Sequence, residues 1–379
     1  MGRSVTVVSV LSLAPMKLGT IEEYTLFLAR RFDELHYKSV FVFAGPMVGE
    51  FKQLFDGTSA TADYFKHSGG LRNYIALWRL LRKYKPDIVH FHFYGQFSLA
   101  PIAAWLAGPR AVIFTDHDRR QQPLRKITKL KCLLWDRIVL RLLRVRVLAV
   151  SEHIKRTLVQ DYQMRPERVE VVLNGVNVPR FESVTSSDVS SLRQQLAIPQ
   201  DAPVIVCTAA LRPDKGVRDF LDAAKHVLVV KPDVHFVVIG DGPLAGELKD
   251  QARRLGIERS TLFVGLRSDV QRFMAMAQIV AVPSDWPEPA GLVVIEGMAS
   301  ARPVVATRVG GIPEYLADGR TGLLVPPHSP LELAQAFLRL LDSPDEAKAM
   351  GEAGHALAQE RFSVERWVSD TLRIYDEAA

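Results

Sequence analysis

The sequence predicts an α/β protein built as two Rossmann-like, doubly wound lobes facing a central cleft. At 379 residues, 48% apolar and 24% charged, the chain is too long for one hydrophobic core and about right for two. Short β-branched runs alternate with helical stretches, as expected of parallel strands joined by crossover helices. The alternation stops at a polar stretch, FESVTSSDVSS, and then begins again.

The strands of the first lobe read as SVTVVSVL, KSVFVFA, PDIVHFH, RAVIFT, VRVLAV and RVEVVL, and those of the second as APVIVCTAA, VHFVVIG, STLFVG, QIVAVPS, RPVVAT and TGLLVPP. The first run follows Arg3 and could be mistaken for a signal-peptide core. Its β-branched alternation ahead of the Gly19 loop reads instead as a buried strand. Residues 179–203, rich in Ser and Asp and poor in aromatics, are the best linker. This sets an N-terminal lobe at 1–180 and a C-terminal lobe at 181–362, with a final helix at 363–379 expected to pack back on the first. No apolar run is long enough to span a bilayer. Cys132 and Cys207 lie far apart inside apolar stretches, which leaves no disulfide framework and no paired-cysteine metal knuckle. The expected compartment is the cytoplasm, with a peripheral position on the inner face of the membrane as a variant.

Charge is divided unevenly. Residues 1–185 carry 28 Lys and Arg against 16 Asp and Glu, whereas residues 186–379 carry 20 against 26. Ten of the positive charges fall in 119–146. A helical projection there sets Lys126, Lys129, Arg137, Arg141 and Arg144 near one face and Ile127, Leu130, Leu134 and Ile138 on another. A solvated face beside a core face explains this pattern, and so does an amphipathic helix lying on an anionic membrane. Nucleic acid is not expected, because aromatics are not interleaved with the basic residues.

Four features carry chemistry. Glu288 and Glu296 lie eight residues apart in WPEPAGLVVIEGMASARPVVATRVGGIPE. They read either as carboxylates on a solvated helix or as acceptors for paired sugar hydroxyls. Pro287 and Pro289 stiffen the loop around Glu288, and the run follows QIVAVPS directly, at the carboxyl end of a strand, where open α/β sheets bind ligands. Lys215, with Arg212 three residues before it, opens a helix. It is either solvated surface or part of a cradle for a diphosphate. The loop 240–246, GDGPLAG, has the wrong spacing for a dinucleotide fingerprint and reads as a turn. Asp116-His117-Asp118 ends RAVIFT and admits three readings: a cation-binding acidic pair, a histidine facing the cleft, or a satisfied core histidine.

Together these residues carry a resemblance. The chain resembles the retaining glycosyltransferases of family 4, which have the two-lobed GT-B fold, over nearly its whole length. The specific motif is EPAGLVVIEGMASARPVVATRVGGIPE. Gly19 with Glu22-Glu23-Tyr24, PDIVHFH, TDHD, Val150-Ser151 and Asn174-Gly175-Val176 follow in the family's order. The resemblance implies that Glu296 takes the ribose hydroxyls and that Glu288 faces the donor sugar near the backbone N–H groups of Ala290, Gly291 and Leu292. It implies that Lys215 binds the diphosphate and that His117 reaches the sugar from the first lobe. Gly19 would let the chain approach the phosphate, and Gly265 and Leu266 would flank the base. Metal use by acidic pairs belongs to an unrelated, single-lobed glycosyltransferase architecture, so His117 rather than the acidic pair is the expected participant.

The implied reaction is retaining sugar transfer from a nucleotide-sugar, UDP favoured over GDP, to a glycan or lipid-linked acceptor in cell-surface glycan or glycolipid synthesis. It would need no metal and no further cofactor. Three positions depart from the family. Ala210 stands where an arginine usually precedes the lysine by five residues, and Arg212 is the expected replacement. Thr20 and Asn177 replace a frequent glycine and a frequent aspartate. A sugar-nucleotide epimerase, a glycan phosphorylase, or an inactive member serving as a binding partner remain as alternatives.

Overall fold

The computed structural model describes residues 4–15, 18–66, 70–95, 97–117 and 126–378. The chain forms two compact units, Met1–Asn174 with Val364–Ala379, and Gly175–Ser363. The sequence boundary at 180 thus lies six residues beyond the division, and the helix Val364–Ala378 belongs to the first unit.

The first unit holds seven strands: β1 (Thr6–Leu11), β2 (Lys38–Phe43), β3 (Thr61–Tyr64), β4 (Ile88–His92), β5 (Ala111–Asp116), β6 (Val145–Ala149) and β7 (Val169–Val171). They are ordered β3-β2-β1-β4-β5-β6-β7, and every neighbour is parallel. Helices cover both faces, so β1 is buried from Val7 to Leu11, four of these five residues being aliphatic and the fifth Ser9. The strand missed from the sequence is β3, a half-exposed TADY at the sheet edge.

The second unit holds β8 (Val204–Thr208), β9 (His235–Ile239), β10 (Thr261–Gly265), β11 (Ile279–Val282), β12 (Val304–Thr307) and β13 (Gly322–Val325). Their order is β10-β9-β8-β11-β12-β13, again parallel throughout. Strand order reverses between β1 and β4 in one sheet and between β8 and β11 in the other. The crevice at the carboxyl ends of such a strand pair is where this architecture receives ligands.

Two expectations are corrected. The polar stretch assigned as a linker is helical, at Val178–Glu182 and Ser186–Gln195. Its Ser, Thr and Asp residues build a cap: Thr185 accepts from the Asp188 amide, and the Asp188 carboxylate accepts from the Thr185 amide at 3.0 Å. The basic segment is helical over Lys126–Trp135 and continues as a π-helix over Asp136–Leu140, but Ile127, Leu130, Leu134 and Ile138 are exposed rather than turned into the core. Residues 119–125 of that segment, including Arg119, Arg120 and Arg125, lie outside the described residues.

The terminal helix Val364–Ala378 closes the first unit. Trp367 stacks on Tyr24 at 3.9 Å between ring centroids, and the Tyr24 hydroxyl donates to Thr371 Oγ1 at 3.0 Å. Tyr375 is buried against His90 of β4, its hydroxyl 2.6 Å from Nδ1.

Candidate functional site

The site is built where β8 and β11 lie side by side. Beyond β8 the chain makes a 3-10 turn, Pro213–Lys215, and enters the helix Val217–Val230 through Gly216. Gly216 has φ +62°, and a Cβ there would collide with the Pro283 carbonyl just beyond β11. This close approach brings the two loops together. Lys215 Nζ donates to Glu288 Oε1 in an ion pair whose side chains are 15% and 11% exposed. Ser284 Oγ donates to the same carboxylate oxygen at 2.7 Å, and Thr307 Oγ1 donates to the Ser284 carbonyl at 2.5 Å. The backbone of Glu288 is clasped from the other side. The Gly311 N–H donates to its carbonyl at 2.8 Å, and Gly310, at φ +56°, lies where any Cβ would strike the Glu288 backbone.

A lysine carries three N–H donors, so Lys215 has the valence to serve Glu288 and an anion together. Glu288 fixes where that positive charge sits. Arg212, the expected replacement for the missing arginine, has a local partner. Its Nε and Nη2 donate to Asp214 Oδ1 and Oδ2 at 3.1 and 2.9 Å, a bidentate pairing within one turn. Ala290 and Gly291 lead into the helix Leu292–Ala299, and Glu296 lies half-buried one turn into it. Gly265 ends β10 at φ +70°, with Leu266 exposed beside it, at the same carboxyl edge of the sheet but on its outermost strand. The loop 240–246 pairs with the chain leaving β8: the Leu211 N–H donates to the Asp241 carbonyl and the Leu244 N–H to the Leu211 carbonyl, each at 3.0 Å. It is a structural turn.

In the first unit, three histidines gather at the carboxyl ends of β4 and β5. His90 is buried between the Tyr375 hydroxyl and Thr115 Oγ1, 2.7 Å from its Nε2, and burial pulls its pKa down to about 3. His92 is lowered too, again chiefly by burial. Its Nδ1 lies 3.4 Å from His117 Nε2. His117 stacks on Phe93, and burial brings its pKa down to about 4, opposed by the Asp116 carboxylate. At neutral pH His117 is therefore uncharged, with one donor and one acceptor nitrogen. Asp116 is buried at the end of β5, and Asp118 lies outside the described residues. Gly19 precedes the helix Thr20–Glu34 at φ −117°, a conformation open to any residue.

Sequence reasoning missed Ser284, the clasp by Gly310 and Gly311, and the partners of His117. It also missed a trio beside the Lys215 loop. His328 Nδ1 lies 3.4 Å from Asp285 Oδ1 and 3.8 Å from Asp219 Oδ2. Burial, with Asp219 beside it, raises the Asp285 carboxyl to about 6. The trio has the donor types and spacing to hold a cation. Cys207 lies within β8, where burial pushes its thiol up to about 12, which rules it out as a nucleophile near neutral pH.

Residues 21–180 match the family model described as Glycosyltransferase Family 4, and residues 188–356 match Glycosyl transferases group 1. The chain belongs to this glycosyltransferase family. A D-inositol 3-phosphate glycosyltransferase of Corynebacterium kroppenstedtii is 35% identical to it over 244 residues, 62% of this chain and 53% of that protein. The chain spans about half the length of the curated relatives it matches. Among solved structures, a glycosyltransferase from Rickettsia africae superposes with a TM-score of 0.85 at 22% identity, covering 100% of this chain and 99% of that one. Anabaena HepE, solved in complex with UDP, superposes with a TM-score of 0.81 at 24% identity, covering 98% and 100%. The chain thus has the GT-B fold, its units being the two Rossmann-like domains.

Proposed function

We propose that this glycosyltransferase moves a sugar from a nucleotide-diphosphate sugar to a hydroxyl acceptor, with retention at the anomeric carbon and without a metal or further cofactor. The observation that carries this reading is the Lys215–Glu288 pair, fixed by Ser284 at the strand-order reversal of the second sheet. UDP is the favoured nucleotide, and the UDP and UDP-glucose complexes of HepE support it. The name of the Corynebacterium relative supports a hydroxyl acceptor. We assign a glycan or lipid-linked one in cell-surface glycan synthesis.

In this mechanism the bond from the anomeric carbon to the diphosphate oxygen breaks, and its electron pair leaves with the diphosphate. The acceptor oxygen bonds to the carbon from the same face, and its proton passes to the departing phosphate oxygen. Negative charge grows on the leaving group, and Lys215 opposes it with a positive charge already held in place, so little reorganisation is needed. Glu288 both orients Lys215 and faces the sugar. Glu296 takes the ribose hydroxyls, the N–H groups of Ala290, Gly291 and Leu292 line the helix entry, and Gly265 and Leu266 flank the base. His117, uncharged, hydrogen-bonds the sugar, with Gly19 the first unit's approach to the phosphate.

A second reading, a member that binds without transferring, is favoured by Ala210, which leaves no arginine five residues before Lys215. A thermal-shift panel of UDP, GDP, ADP and their sugars, with and without EDTA, separates the two when paired with assays of transfer and donor hydrolysis. The transferase reading expects a UDP-selective shift insensitive to EDTA, turnover of a UDP-sugar, and loss of turnover in Lys215→Ala and Glu288→Ala. Nucleotide binding with no turnover of any donor would establish the binding-only reading.

A further inference from the structure

We infer that the helix beginning at Lys126 is a docking surface for an anionic lipid bilayer. The helix presents its apolar residues the wrong way for a core element. Ile127, Leu130, Leu134 and Ile138, with Leu142 beyond the π-helical turn, are 49–72% exposed, while Cys132, Asp136 and Leu140 are the buried positions. At about 100° per residue the five exposed aliphatic side chains share one outward arc. Soluble surfaces scatter such residues singly, and a continuous ridge marks a surface meant to be covered.

Charge complementarity identifies what covers it. Lys131, Arg137, Arg141 and Arg144 are exposed, the first three on the same outward arc, and none forms an ion pair among the described residues. The one acidic residue in 126–146 is Asp136, which is buried and paired with Arg168 at 2.8 Å, and the Asp161 carboxylate at the end of the following helix is held by Lys129 at 3.1 Å. Aliphatic side chains edged by Lys and Arg match an acyl boundary beneath anionic headgroups. A second copy of this face would oppose its own positive charge.

Two further helices on the same face of the sheet carry an apolar groove of their own. Strand order carries the chain in one direction from β3 through β6, so right-handed crossovers place the intervening helices on one face of the sheet. Two of them, Leu71–Tyr84 and Ala100–Trp105, enclose an apolar groove lined by Leu71, Ile75, Trp78, Leu99 and Leu106. No helix is long and apolar enough among the described residues to cross a membrane, so this surface would lie on the bilayer rather than within it.

The test is co-sedimentation of the full chain with mixed phosphatidylglycerol and phosphatidylcholine vesicles and with pure phosphatidylcholine, at low and high salt, and it needs no enzymatic activity. The native chain should bind the anionic vesicles alone and be released by salt. Each charge removed should weaken binding about fivefold, so Arg137→Ser with Arg141→Ser should cost roughly 25-fold. Leu130→Ser with Leu134→Ser and Ile138→Ser should abolish binding. All are surface changes, so circular-dichroism melting should match the parent's. The proposal is overturned if the native chain ignores anionic vesicles or if either variant binds as the parent does. It is equally overturned if the native chain is a dimer that the serine variant dissociates, because the ridge then belongs to a second copy.

Discussion

Asp285 lies three residues before Glu288, and its amide donates to the Asp214 carbonyl at 3.2 Å, so its ionisation acts on the loop that holds Lys215. Burial first, and the Asp219 carboxylate second, raise its pKa to about 6, against opposition from His328 and Arg218. An acid with a folded-state pKa above its unfolded value holds more protons folded than unfolded in the interval between them. Stability therefore falls as pH rises from about 4 to about 6, and the deficit is complete above that window. Asp285→Asn mimics the protonated side chain. It should melt higher than the parent at pH 7.5, by order 1 kcal/mol after discounting for solvent screening, and equal it near pH 4. The same difference at both pH values would show that the change acts through packing and not through the proton.

At the scale of elements, the terminal helix does more for stability than its position at the end of the chain suggests. Trp367 is buried against Tyr24. Trp367→Ala should cost about 3–5 kcal/mol, read as a lower urea midpoint for the first unit. A loss below 1 kcal/mol would mean that the helix is dispensable there. The core strands were legible because burial on both faces demands β-branched runs. β3 was not, because an edge strand such as TADY needs no such pattern. The stretch assigned as a linker shows how composition misleads, since Ser, Thr and Asp serve helix caps as readily as loops. Lys215 and Glu288 were legible from their motif, but their pairing was not. It depends on Gly216 pressing on Pro283 and on Gly310 and Gly311 gripping Glu288, contacts that only the assembled sheet creates. The capture of Arg212 by Asp214, two residues away, is local and was readable in the sequence. The histidines are the opposite case. His90 and His92 alternate onto one face of β4, and only the pairing of β4 with β5 brings His117 beside them.

Across the whole molecule, each unit buries its own core, Phe32, Phe41 and Trp367 in one and Phe220, Phe236 and Phe337 in the other, so unfolding need not be a single transition. Lys215, Glu288, Glu296 and Gly265 all belong to Gly175–Ser363, so a nucleotide without its sugar should draw its affinity chiefly from this unit, Gly19 of the first unit having no side chain to add to it. UDP at about 100 times its Kd adds about 2.7 kcal/mol to the state that binds it. For a domain of this size that is a rise of roughly 5–10 °C in one calorimetric transition, with the other unmoved. Tryptophan fluorescence assigns the transitions, because Trp286 is the one tryptophan of the second unit and sits two residues before Glu288. Trp78, Trp105, Trp135 and Trp367 report the first. In Trp286→Phe the fluorescence melt follows the first unit alone, and UDP should leave it in place while calorimetry still records the shift. If that fluorescence melt moved with UDP as far as the calorimetric one, nucleotide affinity would depend equally on the first unit, and the placing of its chief contacts at Lys215 and the residues around it would fail.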